Sequence, residues 1–169
     1  MSGAPLVVLV GPPGAGKTTV GAAVAQQLGV ALRDTDSDVE LATGKEVAAI
    51  FVDEGERRFR TLEREAVRAA LDEHHGVVAL GGGAVTDAQT REQLRGHPVV
   101  FLDVSLTEAA RRVGLGTARP LLLGNVRAQL KRLLDERRPL YTEVATSTVD
   151  TSGRTADDVA DQVIRAVGG

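Results

Sequence analysis

Residues 5–18 read PLVVLVGPPGAGKT, a short apolar run that leads directly into a glycine-rich turn. The run at residues 5–10 is apolar on both faces and rich in β-branched side chains, which is typical of a strand buried in a parallel sheet. Residues 18–28 follow with apolar side chains at helical spacing, and Gly29 stands where a helix C-cap is expected. Strand, turn and helix in this order predict the first βα unit of an α/β domain.

The turn at residues 11–18 matches the phosphate-binding pattern G-x-x-x-x-G-K-[ST]. Its glycines let backbone N–H groups surround a phosphate, while the Lys17 ammonium reaches the terminal phosphates and the Thr18 hydroxyl can bind Mg²⁺. The N-terminus of the following helix adds partial positive charge. The residues predicted to bind the nucleotide phosphates are Gly14, Ala15, Gly16, Lys17, Thr18 and Thr19. Motors, GTPases, nucleotide sensors and small-molecule kinases share this loop, so it does not define the reaction.

The alternation of strands and helices continues to the end of the chain. Further strands are expected at residues 30–33, 77–80, 98–102 and 144–150. Helices are expected at residues 36–73 with breaks at Gly44 and Gly55, at 87–94, at 106–113, at 125–134 or 125–137 with Pro139 marking the end, and at 155–167. Five short strands alternating with helices predict a three-layer α/β sandwich around a parallel sheet, in one domain spanning residues 1–169.

Composition excludes several classes of function. The length of 169 residues fits one domain, and the net charge of −3 argues against a general nucleic-acid binder. Three phenylalanines, one tyrosine and no tryptophan cannot form a base-stacking platform, and the absence of cysteine excludes a thiolate zinc site. No apolar run is long enough to span a bilayer, and no signal peptide is evident. We expect a cytoplasmic monomer that binds neither nucleic acid nor membranes.

Two carboxylates follow the second predicted strand. Residues two apart on a strand point to the same side, so Asp34 and Asp36 would both face the carboxyl end of the sheet, where α/β proteins bind ligands. One carboxylate could support Mg²⁺ while the other hydrogen-bonds the hydroxyl of a phosphoryl acceptor. Alternatively, either aspartate could simply be the N-cap of the next helix.

Three consecutive glycines, Gly81, Gly82 and Gly83, follow the third predicted strand. Glycine costs conformational entropy, so a triplet is an expensive way to make an ordinary turn. We expect the backbone to approach a ligand closely here, with an ordinary strand-to-helix turn as the alternative.

Three arginines are candidate ligands for anions. Arg119 lies in a glycine-rich loop, where a mobile arginine could close over the transferring phosphoryl group; the alternative is a solvated loop residue. Arg137 lies near the end of a predicted helix, where a cation also complements the helix dipole. Arg60 lies on a predicted helix among glutamates and could instead belong to an exposed ion-pairing face.

Taken in order, these segments resemble the shikimate kinase family over nearly the whole chain. The matching parts are the loop at residues 11–18, DTD at 34–36, Phe59-Arg60 with Glu63, LGGG at 80–83, RPLL at 119–122 and RRPLY at 137–141. The resemblance implies a nucleoside-monophosphate-kinase-like fold with strand order 2-3-1-4-5, an acceptor-binding segment at about residues 33–62 and a mobile lid at about 112–124. It also implies transfer of the ATP γ-phosphate to the 3-hydroxyl of shikimate, a step towards chorismate and the aromatic amino acids.

The resemblance also implies roles for individual residues. Thr18 and Asp34 would support Mg²⁺, the aspartate through water, and Asp36 would bind the acceptor hydroxyl and act as the base. Lys17 and Arg119 would contact the phosphates and complete the catalytic set. The residues implied to bind shikimate are Asp36, Arg60, Gly81, Gly82, Gly83 and Arg137, and those implied to approach the adenine are Arg112 and Arg154.

Two other functions remain open at this level. A related kinase could act on another hydroxy acid such as gluconate, which also offers a carboxylate and hydroxyls; a nucleotide acceptor would not need two carboxylate-binding arginines. The chain could also be a non-catalytic nucleotide sensor, although the presence of Asp36, Arg60, Arg119 and Arg137 argues against loss of activity.

Overall fold

The computed structural model describes residues 4–115 and 123–168. Its centre is a five-stranded sheet in which every neighbouring pair is parallel and the order is β2-β3-β1-β4-β5. The strands are β1 (Val7–Val10), β2 (Leu32–Asp34), β3 (Val77–Ala79), β4 (Val99–Asp103) and β5 (Ser147–Asp150). This architecture and strand order confirm the predicted fold.

Helices cover both faces of the sheet. They are α1 (Lys17–Leu28), α2 (Thr35–Thr43), α3 (Val47–Glu54), α4 (Glu56–Glu73), α5 (Ala88–Gln93), α6 (Leu106–Leu115), α7 (Leu123–Val144) and α8 (Ala156–Gly168), with a 3₁₀ turn at Ala84–Thr86. The predicted helical stretch at residues 36–73 is three helices. They are separated near Gly44 and Gly55, the two glycines at which breaks were expected.

Side chains alternate between two core layers along β1. Val7 and Leu9 pack with residues of α1 and α8, whereas Val8 and Val10 pack with residues of α4 and α7. All four residues are almost completely buried, as expected for a central parallel strand. A smaller cluster, containing Val39, Ile50 and Phe59, joins α2, α3 and α4 beside the sheet.

Pro139 does not end a helix, so that prediction is wrong. It lies inside α7, which continues to Val144. Proline removes one backbone hydrogen bond from a helix interior. Two residues later, however, the fully buried Tyr141 packs its ring 5.0 Å from that of Phe101 on β4. We infer that this packing offsets the missing hydrogen bond and keeps the helix continuous.

The proposed lid at about residues 112–124 is only partly described. Arg112 lies within α6, and residues 123 and 124 begin α7. Residues 116–122, including Arg119, lie outside the described residues. In the described part of the chain, no helix has the length and apolar character needed to cross a membrane.

The central strand provides a test of the core. Leu9 is fully buried between the sheet and one helix layer, so Leu9→Ala should lower the free energy of unfolding by about 2–5 kcal/mol. The matched control is Leu41→Ala on α2, because the Leu41 residue is 84% exposed and its truncation should change stability by less than about 0.5 kcal/mol. Urea unfolding curves measure both; equal losses would contradict this assignment of the core.

Candidate active site

The loop after β1 turns sharply into α1. Gly14 and Gly16 have φ angles of 83° and 87°, in the left-handed region that favours glycine, and Gly16 is the N-cap of α1. The first turn of the helix therefore follows the glycine loop directly. This geometry agrees with the phosphate-binding loop predicted from the sequence.

The Lys17 side chain folds back onto the phosphate-binding loop. Its Nζ donates hydrogen bonds to the carbonyl oxygens of Gly11 at 2.7 Å and Pro12 at 3.1 Å. Burial lowers the pKa of Lys17 to about 8, against the opposing effect of the negative charges on Asp36 and Asp34. A phosphate bound in the loop would supply a negative charge that favours the ammonium form.

Thr18 and Asp34 meet across the start of α1 and α2. The Thr18 hydroxyl donates to Asp34 Oδ2 at 3.3 Å, while Asp34 Oδ1 accepts from the backbone N–H groups of Asp36 and Ser37 at 2.9 and 3.3 Å. Asp34 is therefore also the N-cap of α2, which confirms for this residue the N-cap role given above as the alternative. The described residues contain no cluster of three or more metal-binding side chains. A hydroxyl and one carboxylate beside a phosphate loop suit Mg²⁺, which keeps several waters and binds substrate phosphates.

Asp36 lies near this pair for a different reason from the one predicted. Strand β2 ends at Asp34, so Asp36 belongs to the first turn of α2 and the argument from strand alternation is wrong. Burial and the Asp34 charge raise the pKa of Asp36, while Lys17 and Arg60 oppose the rise. Asp36 Oδ1 is buried and has no hydrogen-bond partner among the described residues. A buried unpaired oxygen is costly, so this atom is ready to accept a hydrogen bond from a bound ligand.

The glycine triplet lies against three different side chains. A Cβ added at Gly81 would lie 2.6 Å from Asp36 Oδ1, and one at Gly82 would lie 3.2 Å from Cδ of Pro13. At Gly83 it would overlap the Arg60 guanidinium. None of the three glycines has a positive φ, so the absence of a side chain, not backbone freedom, is what the turn requires. The expected close packing is present with protein side chains, and contact with a ligand stays a prediction.

Arg60 is half-buried and is held in an ion pair with the buried Glu63. Its Nη1 donates to Glu63 Oε1 at 2.7 Å, and its guanidinium carbon lies 5.3 Å from the ring centroid of Phe59 and 5.7 Å from that of Phe51. Glu63 is 1% exposed, and burial raises its pKa against the opposing charge of Arg60. The alternative of an exposed ion-pairing face is therefore wrong for Arg60. Sequence analysis included Glu63 with Phe59-Arg60 in the family resemblance but did not assign it as the partner that holds Arg60, although their three-residue spacing favours such a pair. It assigned no contact to Phe51.

Arg137 and Tyr141 lie one turn apart on α7 and face the same centre. Burial raises the pKa values of Glu63 and Tyr141 and lowers that of Lys17; the positive charge of Arg137 opposes the two increases and adds to the decrease. The Tyr141 hydroxyl donates to the carbonyl oxygen of Gly82 at 2.5 Å. Sequence analysis assigned Tyr141 no role of its own, although this residue ends the RRPLY segment at 137–141 that contributes to the family resemblance.

Arg112 joins α6 to the phosphate loop. Its guanidinium donates to the carbonyl oxygens of Gly14 at 2.8 Å and Thr151 at 3.0 Å, and it pairs with Glu108 at 3.2 Å. Arg112 and Arg154 both line a cavity of about 540 Å³ on the outer side of the loop. The structure thus brings together the two residues that were assigned to the adenine.

A second cavity, of about 450 Å³, lies on the other side of the loop. Its lining includes Lys17, Thr18, Asp34, Asp36, Gly81 and Gly82. The two cavities share Gly16, Thr19 and Arg112 in their linings, so they lie side by side along the phosphate loop, and together they are called the cleft below. Arg60 and Arg137 are not among the residues that line this second cavity. A phosphate loop with a cavity on each side, one of them lined by the Asp36 carboxylate, is the arrangement of a small-molecule kinase of the P-loop class.

Comparison with known proteins makes the assignment more specific. A family model described as shikimate kinase matches residues 13–168, so the chain belongs to the shikimate kinase family. A shikimate kinase of Salinispora arenicola is 62% identical over 160 residues, covering 95% of this chain and 96% of that protein.

Solved structures agree on the fold. Shikimate kinase from Acinetobacter baumannii, in complex with shikimate, matches with a TM-score of 0.89 and 38% identity over 98% of this chain and 93% of that one. A gluconokinase from Sinorhizobium meliloti matches with a TM-score of 0.68 and 21% identity over 99% and 94% of the two chains. At that identity the second match reflects the shared fold alone.

The buried lysine provides a direct test of site electrostatics. The chain has only three lysines, Lys17, Lys45 and Lys131, so NMR of isotope-labelled lysine gives few signals. Lys17 should titrate near pH 8 because burial disfavours its ammonium form, whereas the carboxylates paired with Lys45 raise the pKa of that residue above its usual value. Lys17→Arg identifies the signal. A Lys17 titration together with Lys45 would contradict the burial of the amine.

Proposed function

We propose that this protein transfers the γ-phosphoryl group of ATP to the 3-hydroxyl of shikimate. The observation that carries the proposal is the Asp36 carboxylate, whose buried Oδ1 has no hydrogen-bond partner among the described residues and which lines the same cavity as Lys17 of the phosphate loop. Membership of the shikimate kinase family supports the choice of shikimate over other acceptors. The acceptor-binding segment is proposed at about residues 33–62, within a single domain over residues 1–169.

The shikimate carboxylate is proposed to bind Arg60 and Arg137. A guanidinium matches a carboxylate in two parallel hydrogen bonds, which a lysine ammonium cannot do. The ion pair with Glu63 and the rings of Phe51 and Phe59 hold Arg60 before the substrate arrives. Less side-chain motion is then lost when the substrate binds.

Asp36 is proposed to orient the 3-hydroxyl and to accept its proton. Its Oδ1 has no other hydrogen-bond partner among the described residues, and its raised pKa makes it a better base than an exposed aspartate. Phosphoryl transfer depends mainly on positioning and on charge stabilisation, so a correctly placed carboxylate is sufficient. Gly81, Gly82 and Gly83 are proposed to form the backbone wall beside the substrate.

The phosphates are proposed to bind the loop from Gly14 to Thr19. Lys17 would exchange its loop carbonyls for phosphate oxygens, and Thr18 with Asp34 would hold Mg²⁺, the aspartate through water. When bound, Mg²⁺ neutralises charge on the β- and γ-phosphates. Arg119 is proposed to close over the γ-phosphate and exclude water.

The adenine is proposed to lie in the outer cavity near Arg112 and Arg154. A monomeric state stays a prediction from the sequence. The cytoplasmic location stays a prediction from the sequence. Family membership favours shikimate over gluconate as acceptor and favours an active kinase over a non-catalytic sensor.

A coupled assay of ADP release tests the function. With Mg-ATP, turnover should depend strongly on shikimate, because the site offers two arginines for its carboxylate and Asp36 for its hydroxyl. Gluconate and a nucleoside monophosphate serve as alternative acceptors in the same assay. Turnover with either of these and none with shikimate would reject the proposal, and no turnover with any of them would favour a sensor.

Asp36→Asn should lower kcat about 100-fold or more while changing the KM for ATP little, because the amide cannot accept the proton. Since burial raises the pKa of Asp36, the wild-type kcat should fall on the acidic side at a higher pH than for an exposed aspartate. Asp38→Asn is the matched control, because Asp38 lies on the same helix but pairs with Arg33 at 2.7 Å. A near-normal kcat in Asp36→Asn would remove this residue from the mechanism.

A further inference from the structure

Tyr141 is buried below the glycine turn and touches it directly. The residue is 1% exposed, and its hydroxyl donates to the carbonyl oxygen of Gly82 at 2.5 Å. Its ring packs 5.0 Å from the ring of Phe101 on the neighbouring strand β4. The Tyr141 ring is thus held by its contact with Phe101 on the sheet, and its hydroxyl binds one atom of the glycine turn, the carbonyl oxygen of Gly82.

The carbonyl oxygen of Gly82 belongs to the peptide group that links Gly82 to Gly83, so holding this oxygen fixes the orientation of that peptide. The carbonyl of Gly82 and the N–H of Gly83 belong to one planar trans peptide, in which they point in opposite directions. The Tyr141 hydrogen bond therefore also sets the direction of the Gly83 N–H. Within residues 4–115 and 123–168, no hydrogen-bond acceptor is found for the N–H groups of Gly82 and Gly83.

The turn needs such an anchor because of its composition. Three successive glycines have more backbone freedom than any other tripeptide, yet this turn must fit closely between Asp36, Pro13 and Arg60. The first hydrogen bonds after the turn are those of Ala84 to the Gly81 carbonyl and of Thr86 to the Gly83 carbonyl. Neither of these two bonds holds the carbonyl of Gly82.

The Tyr141 hydroxyl stays protonated and therefore remains a hydrogen-bond donor. Burial raises the pKa of Tyr141 to about 12, against the opposing effect of the nearby Arg137 charge. The hydroxyl therefore keeps its proton over the pH range in which the enzyme would work.

We propose that Tyr141 is a positioning residue for the phosphoryl acceptor, acting by fixing the Gly82–Gly83 peptide that borders the acceptor cavity. The inference rests on the proposed function, since it assumes that shikimate binds beside this turn. Tyr141 acts through the glycine backbone and does not itself touch the substrate.

Tyr141→Phe tests the proposal because it removes only the hydroxyl and keeps the ring against Phe101. The KM for shikimate should rise about tenfold, since the turn loses its anchor and the Gly82 carbonyl is left without a donor. The KM for ATP should stay within about twofold of wild type. Calorimetric titration of shikimate without nucleotide should show the same loss of affinity.

Thr146→Val is the matched control. The Thr146 hydroxyl also donates to a backbone carbonyl, that of Val99 at 2.9 Å, but at the opposite end of β4 from the site. This variant should leave both KM values unchanged. A purely structural role for Tyr141 would lower the melting temperature of Tyr141→Phe and leave the KM for shikimate unchanged, which would overturn the proposal.

A second pair of variants distinguishes an effect of Tyr141 through the glycine turn from an effect through Arg137. Tyr141→Phe should raise the KM for shikimate by a similar factor in wild type and in Arg137→Lys. An effect that disappears in Arg137→Lys would mean that the hydroxyl acts through the arginine, which would overturn the assignment to the turn. Absence of shikimate turnover in the wild type would reject the proposed function, whereas normal wild-type turnover with an unaffected Tyr141→Phe variant would reject this inference alone.

Discussion

The absence of side chains at residues 81–83 allows the rest of the site to assemble around the glycine turn. Asp36 comes from α2, Arg60 from α4 and Pro13 from the phosphate loop; a Cβ on the turn would clash with Asp36 or Arg60 and would contact Pro13 tightly. A single alanine at Gly81 would approach the carboxylate of Asp36 to 2.6 Å. The nucleotide side and the acceptor side of the cleft can therefore be close only because this segment is bare backbone.

The parallel sheet brings these elements to one edge. Strand β1 lies between β3 and β4, with Leu9 opposite Ala79 on one side and Val100 on the other. The phosphate loop after β1 and the glycine turn after β3 therefore leave the sheet next to each other. The same topology places ligand sites at the carboxyl ends of strands in α/β proteins generally.

Burial has opposite effects on the two kinds of charge in this cleft. It lowers the pKa of Lys17 and raises the pKa values of Asp36 and Glu63, because water is removed from each charged form. The opposite charges nearby limit these shifts but do not abolish them. A protein with a net charge of −3 thus presents local positive charge through a few partly buried cations, and no broad basic surface is needed.

Local sequence patterns were enough to predict the parallel α/β fold and the phosphate loop, because apolar periodicity and glycine spacing are local properties. They did not determine that α7 runs through Pro139 or that Glu63 holds Arg60. Those features depend on packing between distant segments, such as the contact of Tyr141 with Gly82, which are 59 residues apart. Which side chains come into contact depends on how the helices pack on the sheet. For α7, the packing position that brings Tyr141 to Gly82 cannot be deduced from any local sequence pattern.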